Sequence, residues 1–233
     1  MSLWSRISEA IAALAKGEPL SAVFDHLRTA PERSVAFTIA VIALGAKMAK
    51  ADGLVTRDEV TVFRKVFQIA QADEADAARV FNLARQDVAG FEDYATRISA
   101  MFADDRSTLC DLMEGLFHVA MADGTYHPGE DQFLERVAEI FGLPDSEFRS
   151  LRSRFVPDAV GDPFTVLGVE RGTDIKDVRA VWRNMVRQNH PDQMIARGVP
   201  QEAIKLAEKR LIDINRAWEE IQELQVEQGV RGG

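Results

Sequence analysis

Apolar residues recur every three or four positions along almost the whole chain, and no stretch sustains alternation of period two. Val35, Ile39, Ile42 and Ala46 trace one face of a helix that reaches Ala51. Asp52-Gly53 then supplies a stop, glycine suiting the left-handed turn that closes a helix. Thr56 to Glu59 has capping-box spacing, so the next helix is predicted to start there and to carry Val60, Phe63, Val66 and Phe67. Further helices are predicted over 73–88, 91–103, 109–122, 130–141 and 145–155. Near the start, Leu3, Trp4, Ile7, Ile11 and Leu14 fall on one helical face. This N-terminal amphipathic segment, residues 1–33, is expected to pack against the rest of the protein rather than lie on a membrane. The expected fold class is all-α.

The pattern breaks between Val156 and Pro163, where two prolines and a glycine mark a domain boundary with its linker at 157–161. Residues 34–156 read as one helical domain and 162–229 as a second. Asp162 is a good N-cap, Pro163 suits the first helical position, and Gly168 stops a short helix carrying Phe164 and Leu167. A second helix begins near Thr173 or Asp174 and runs to Asn189. A third follows Pro200, its apolar stripe formed by Ile204, Ala207, Leu211, Ile214, Trp218 and Ile221. Two long helices joined by a loop at 190–200 make an antiparallel hairpin.

The second helix of this hairpin separates two faces. Val178, Val181, Trp182, Met185 and Val186 occupy one side. Arg179, Arg183 and Arg187 stand at i, i+4 spacing on the other, with Lys176 three residues before them, although neighbouring like charges disfavour a helix. At the end of the row comes His190-Pro191-Asp192. Proline forces the preceding residue out of helical geometry, so His190 and Asp192 are expected to project at a rigid corner beside the cations. No serine or cysteine lies nearby in sequence to make a hydrolytic triad of the pair. One histidine and one aspartate are too few ligands for a metal site.

Composition narrows the classes. The 233-residue chain carries 28 Lys+Arg against 37 Asp+Glu, a net charge of −9, which opposes a general grip on nucleic acid. Its single cysteine, Cys110, excludes an internal disulfide and any multi-cysteine zinc module, and fits a reducing compartment. The longest uncharged stretch, 34–46, is shorter than the about 20 residues of a membrane span, and Glu9 interrupts the apolar block that a signal peptide requires. A cytoplasmic protein is expected.

One turn occurs twice: Ala49 to Glu59 matches Ala120 to Glu130, each after an apolar helix and before another. The shared spacing Asp-Gly-x5-Glu copies the second half of a calcium EF-hand loop, which makes Asp52, Glu59, Asp123 and Glu130 weak metal candidates. The leading ligand positions hold Met48 and Lys50 in one copy and Val119 and Met121 in the other, so a normal EF-hand is excluded. A cation site shared between the two copies stays open beside helix capping, and no cofactor is expected.

These paired turns give residues 34–155 a resemblance to the TerB (tellurite-resistance) helical domain, which also occurs in DjlA-type chaperones. That resemblance implies a helical bundle with an acidic surface and no catalysis. Further along, D-P-F-T-V-L-G-V (162–169), the basic helix, His190-Pro191-Asp192 and R-L-I-D-I-N-R-A-W-E-E-I (210–221) resemble a J domain of the DnaJ co-chaperone family, and the long loop 190–200 looks especially like the DjlA type. Phe164 and Trp218 stand where tyrosine is common, Leu211 where phenylalanine is common, and Gln193 where lysine usually follows the tripeptide. The first three changes keep apolar bulk; Gln193 removes one cation.

The resemblance implies no catalysis by this chain. It implies docking on a DnaK-type chaperone ATPase, whose hydrolysis of ATP the J domain stimulates, in the service of an unidentified client protein. Lys176, Arg179, Arg183 and Arg187 would meet acidic groups on that ATPase. His190, Pro191 and Asp192 would engage its nucleotide-domain junction, and Asn215 would anchor the hairpin. The DjlA type carries an N-terminal membrane span that is not found in this sequence, so membrane contact is not expected; nor, on the charge balance, is nucleic-acid binding. The competing expectation is a metal- or membrane-sensing stress module that uses the J-like part as a passive adaptor.

Overall fold

A computed structural model describes residues 3–14, 18–27, 30–51, 74–87, 89–121, 124–156, 162–199 and 201–231. The predicted helix from Thr56, the metal candidates Asp52, Glu59 and Asp123, and the linker 157–161 lie outside the described residues. Among the described residues every regular element is a helix.

Helix α1 (Leu3–Ala12) is followed by a 3-10 turn at Leu20–Ala22 and a short α2 (Val23–His26). Ile7 and Ile11 are buried and Leu3 and Leu14 are partly covered, so the N-terminal stripe faces the protein's own interior. Helix α3 (Ala30–Ala51) is apolar nearly all round between Val35 and Ala46 and is accordingly enclosed on every side. Around it pack α1, α4 (Glu74–Gln86), α5 (Phe91–Met101), α6 (Arg106–Ala120) and α7 (Pro128–Ile140), while α8 (Asp145–Phe155) covers the far side of α6. Gly115 lets α6 approach α3 closely: a Cβ there would sit 3.3 Å from both methyls of Val41.

Local chemistry sets the helix ends. The Asp105 carboxylate accepts from the Thr108 amide at 3.1 Å and its hydroxyl at 2.9 Å, so α6 begins three residues before the predicted Leu109. Before α7, the His127 amide donates to Glu130 Oε2 at 2.9 Å.

A polar hub ties the N-terminal third to the bundle. Buried Lys47 donates to the carbonyls of Asp87 (2.7 Å) and Ala89 (2.6 Å). The Tyr94 hydroxyl donates to Asp87 Oδ2 at 2.5 Å, and the Ala89 and Ser21 amides donate to the same carboxylate. Burial disfavours the Asp87 charge, but these hydrogen bonds and the Lys47 cation outweigh it and hold the carboxyl below its usual range.

The C-terminal hairpin comprises α9 (Pro163–Val166), α10 (Ile175–Gln188), α11 (Pro191–Ala196) and α12 (Gln201–Arg231). Its own core is small: Phe164, Val166, Leu167, Val178, Ile214, Ala217, Trp218 and Ile221. Trp182 stacks on Trp218 with ring centres 5.3 Å apart, and its indole N–H donates to Asn215 Oδ1 at 3.0 Å. Asn215 therefore holds α10 to α12. Residues 190–200, expected as a loop, contain α11 instead. Pro191 is preorganised for the first helical position and His190 caps it, so the chain re-enters helix at once.

Candidate functional site

Helix α10 presents its two faces to different surroundings. Val178 is fully buried and Trp182, Met185 and Val186 lie half-buried against α9 and α12. On the opposite side Lys176, Arg179, Arg183 and Arg187 are all exposed. Among the described residues none of these four cations has a carboxylate within ion-pair distance. Asp174 caps the start of α10, its carboxylate accepting from the Lys176 amide at 2.8 Å.

At the other end, Asn189 closes the helix and His190 turns extended, with φ −67° and ψ 134°. The His190 side chain is 58% exposed and that of Asp192 83% exposed. His190 Nδ1 accepts from the Asp192 amide at 3.3 Å and lies 3.6 Å from the Asp192 carboxylate. Asp192 has no lysine or arginine partner among the described residues, and Gln193 beside it is exposed. The chemistry available here is recognition: a row of unpaired cations ending in one free carboxylate on a backbone held by proline.

Behind the exposed corner lies a second group of charges, which the sequence reading missed. Met194, Val199 and Ile204 join the core of the helical bundle, not that of the hairpin. Ser34 on α3 donates its hydroxyl to the Gly198 carbonyl at 2.7 Å. Arg197 Nη2 reaches Asp111 Oδ2 at 2.8 Å, and Arg210 Nη1 reaches Asp111 Oδ1 at 2.7 Å. Arg210 also pairs with Glu114 and donates to the Asn189 side chain. Asp111, Glu114 and Arg210 are all buried. Burial opposes the Arg210 charge, yet the Glu114 and Asp111 carboxylates hold the guanidinium above its usual value. The residue preceding His190 is thus tied to the bundle through buried ion pairs. One signal for this was present in the sequence: Asp111 and Glu114 interrupt an otherwise apolar run on the helix predicted over 109–122.

Of the metal candidates, only Glu130 lies among the described residues, and its carboxylate accepts the amide at the start of α7. No group of three or more metal-ligating side chains comes together among the described residues. No described helix is long and apolar enough to cross a membrane.

Known proteins resemble both halves. The family model for tellurite resistance protein TerB matches residues 38–153. The protein named Co-chaperone protein DjlA in Photobacterium profundum is 24% identical over 216 residues, covering 82% of this chain and 78% of the relative. Its namesake in Coxiella burnetii is 26% identical over 197 residues, covering 76% and 73%, and that of Vibrio cholerae is 24% identical over 232 residues, covering 86% and 81%. The chain is of the DjlA type and carries a TerB-like domain. It thereby falls among the DnaJ-type co-chaperones in outline, and the TerB-like match ends within α8, where the hairpin begins to pack. No solved structure matches this DjlA-type chain.

Proposed function

We propose that this chain docks on a DnaK-type chaperone ATPase through the outer face of α10 and the corner after it, and stimulates its ATP hydrolysis. The observation that carries the reading is the pairing of an unpartnered cation row with an exposed, proline-fixed Asp192 at its end. Unpaired surface cations steer an acidic partner and set its orientation without first breaking internal ion pairs. Asp192 is free to take a cation of the partner. If that cation is accessible in only one state of the nucleotide cycle, the difference in affinity shifts the cycle. The chain itself performs no chemistry in this scheme. The TerB-like bundle supplies client, location or stress specificity, and the protein works in the cytoplasm.

Single-turnover ATP hydrolysis by the cognate chaperone tests the proposal. Wild type is expected to accelerate hydrolysis and Asp192→Asn to abolish the acceleration with unchanged circular dichroism and melting temperature. Full stimulation by Asp192→Asn would remove the reading's basis.

A further inference from the structure

The carbonyls in the last turn of a helix have no helical amide to fill them. At the end of α10 one of these belongs to Gln188, and Arg197, the first residue after α11, fills it: its Nη1 donates to the Gln188 carbonyl at 2.8 Å. The same guanidinium reaches the bundle. Its Nη2 donates to Asp111 on α6 at 2.8 Å, and its Nε lies 4.0 Å from Asp105, the cap of that helix. The next residue of the chain is held in parallel. Arg210 on α12 donates to the Asn189 side chain and to Asp111, and Asn189 Nδ2 donates to the Met185 carbonyl at 2.6 Å.

Gln188 and Asn189 immediately precede His190, and Arg197 closes the short helix that carries Asp192. The corner is thus gripped before and after by two guanidiniums that share one carboxylate of the bundle. The cation row has a different support, since α10 rests on the hairpin's own core through Val178 and Trp182. With a side chain only 16% exposed, Arg197 is not a fifth member of that row. The hairpin core therefore sets the place of the cations, and the bundle sets the place of Asp192.

We propose that Arg197 is a positioning residue for stimulation of the chaperone ATPase, and that through its fork to Gln188 and Asp111 the bundle fixes the angle between the cation row and Asp192. This inference rests on the docking reading above, and it gives the TerB-like bundle a part in the stimulating step itself, beside specificity. The two halves of the docking surface do different work. The row attracts and orients an acidic partner, whereas a shift in the partner's cycle requires Asp192 to meet its cation in the one state that exposes it. Loss of the Arg197 fork leaves every cation of the row in place, so the partner still associates but meets Asp192 out of register.

The full chain is titrated against the cognate chaperone, with association read by fluorescence anisotropy and stimulation by single-turnover ATP hydrolysis at saturation. Arg197→Met is expected to keep the wild-type dissociation constant and to lower the saturated rate severalfold. In the free protein its amide exchange is expected to quicken severalfold over 192–196 and to stay at the wild-type rate over 178–186. Arg197→Lys, which can pair with Asp111 but has no fork to span to Gln188 as well, is expected to show the same split in milder form; it carries the test if Arg197→Met does not fold. A saturated rate equal to wild type, a loss of rate wholly explained by weaker association, or unchanged exchange over 192–196 would overturn the inference. Wild type and Asp192→Asn run alongside keep the two readings apart. A wild type without stimulation removes the docking reading and this inference with it, whereas stimulation intact in Arg197→Met but lost in Asp192→Asn removes this inference alone.

Discussion

Two groups of arginines within a single hairpin meet opposite fates. On α10, Arg179, Arg183 and Arg187 stand in solvent with no acidic partner among the described residues. A few residues on, Arg197 and Arg210 converge on Asp111 and Glu114 of the bundle, and Arg210 retains only 7% of its exposure. Exposed cations escape the desolvation penalty, and the repulsion between like charges one turn apart is mild and screened by salt. Buried ones are tolerated only with their carboxylates in place, because desolvation of an unpaired ion costs several kcal/mol. The first group is therefore available for an outside partner. The second is committed to holding the corner at His190 against the bundle. The hairpin's own core of eight residues is too small to fix that orientation by itself.

The contrast is sharpest for two aspartates. Asp192→Asn is expected to abolish ATPase stimulation and to leave the midpoint of urea unfolding unchanged, since the 83% exposed carboxylate makes no buried contact. Asp111→Ala is expected to do the reverse in kind, destabilising the chain by about 3–5 kcal/mol in the same titration because it removes the buried carboxylate that Arg197 and Arg210 share. Any loss of stimulation in that variant should accompany loosening of α11, seen as faster amide exchange over 191–199. Unaltered stability would show that the seam's ion pairs do not hold it.

Charge reversal on the outer row sits next in size. An exposed ion pair is worth ~0.2–1 kcal/mol, so replacing attraction by repulsion in Arg183→Glu is expected to weaken chaperone association about tenfold, a loss of about 1.4 kcal/mol. Wild-type affinity should fall as salt rises, screening acting over about 8–10 Å near physiological ionic strength. Arg197→Glu, read in the same assay, should show its main effect in stability instead.

Asp87 gives the smallest and most local effect. Its carboxyl is held below the unfolded value of about 4 by the hydroxyl of Tyr94, two amides and Lys47. Its contribution is therefore complete above that pH and is lost as pH falls through the lower folded value. Acid titration of wild type is expected to show this loss and Asp87→Asn to lack it, with binding at neutral pH unaffected in both.

Much of this was legible in the order of residues. The helical period located α3, α5, α7 and α8, the proline after His190 marked the corner, and i, i+4 spacing put three arginines on one face. Asn215 was expected to anchor the hairpin and accepts the Trp182 indole N–H. The helix at 191–196 was not legible there because Pro191 fits the stop of one helix and the first position of the next equally well. The seam was missed for a different reason. Asp111 and Arg210 are 99 residues apart, and nothing in either neighbourhood names the other.

What the sequence determined alone is everything governed by short-range geometry: helix faces, caps, the bend at Pro191 and the charge pattern along α10. These depend on contacts within about one helical turn, where spacing dictates position. Tertiary structure decided which charges would be desolvated. Only when α6, α8 and α12 pack together does Arg210 lose its water and gain its carboxylates.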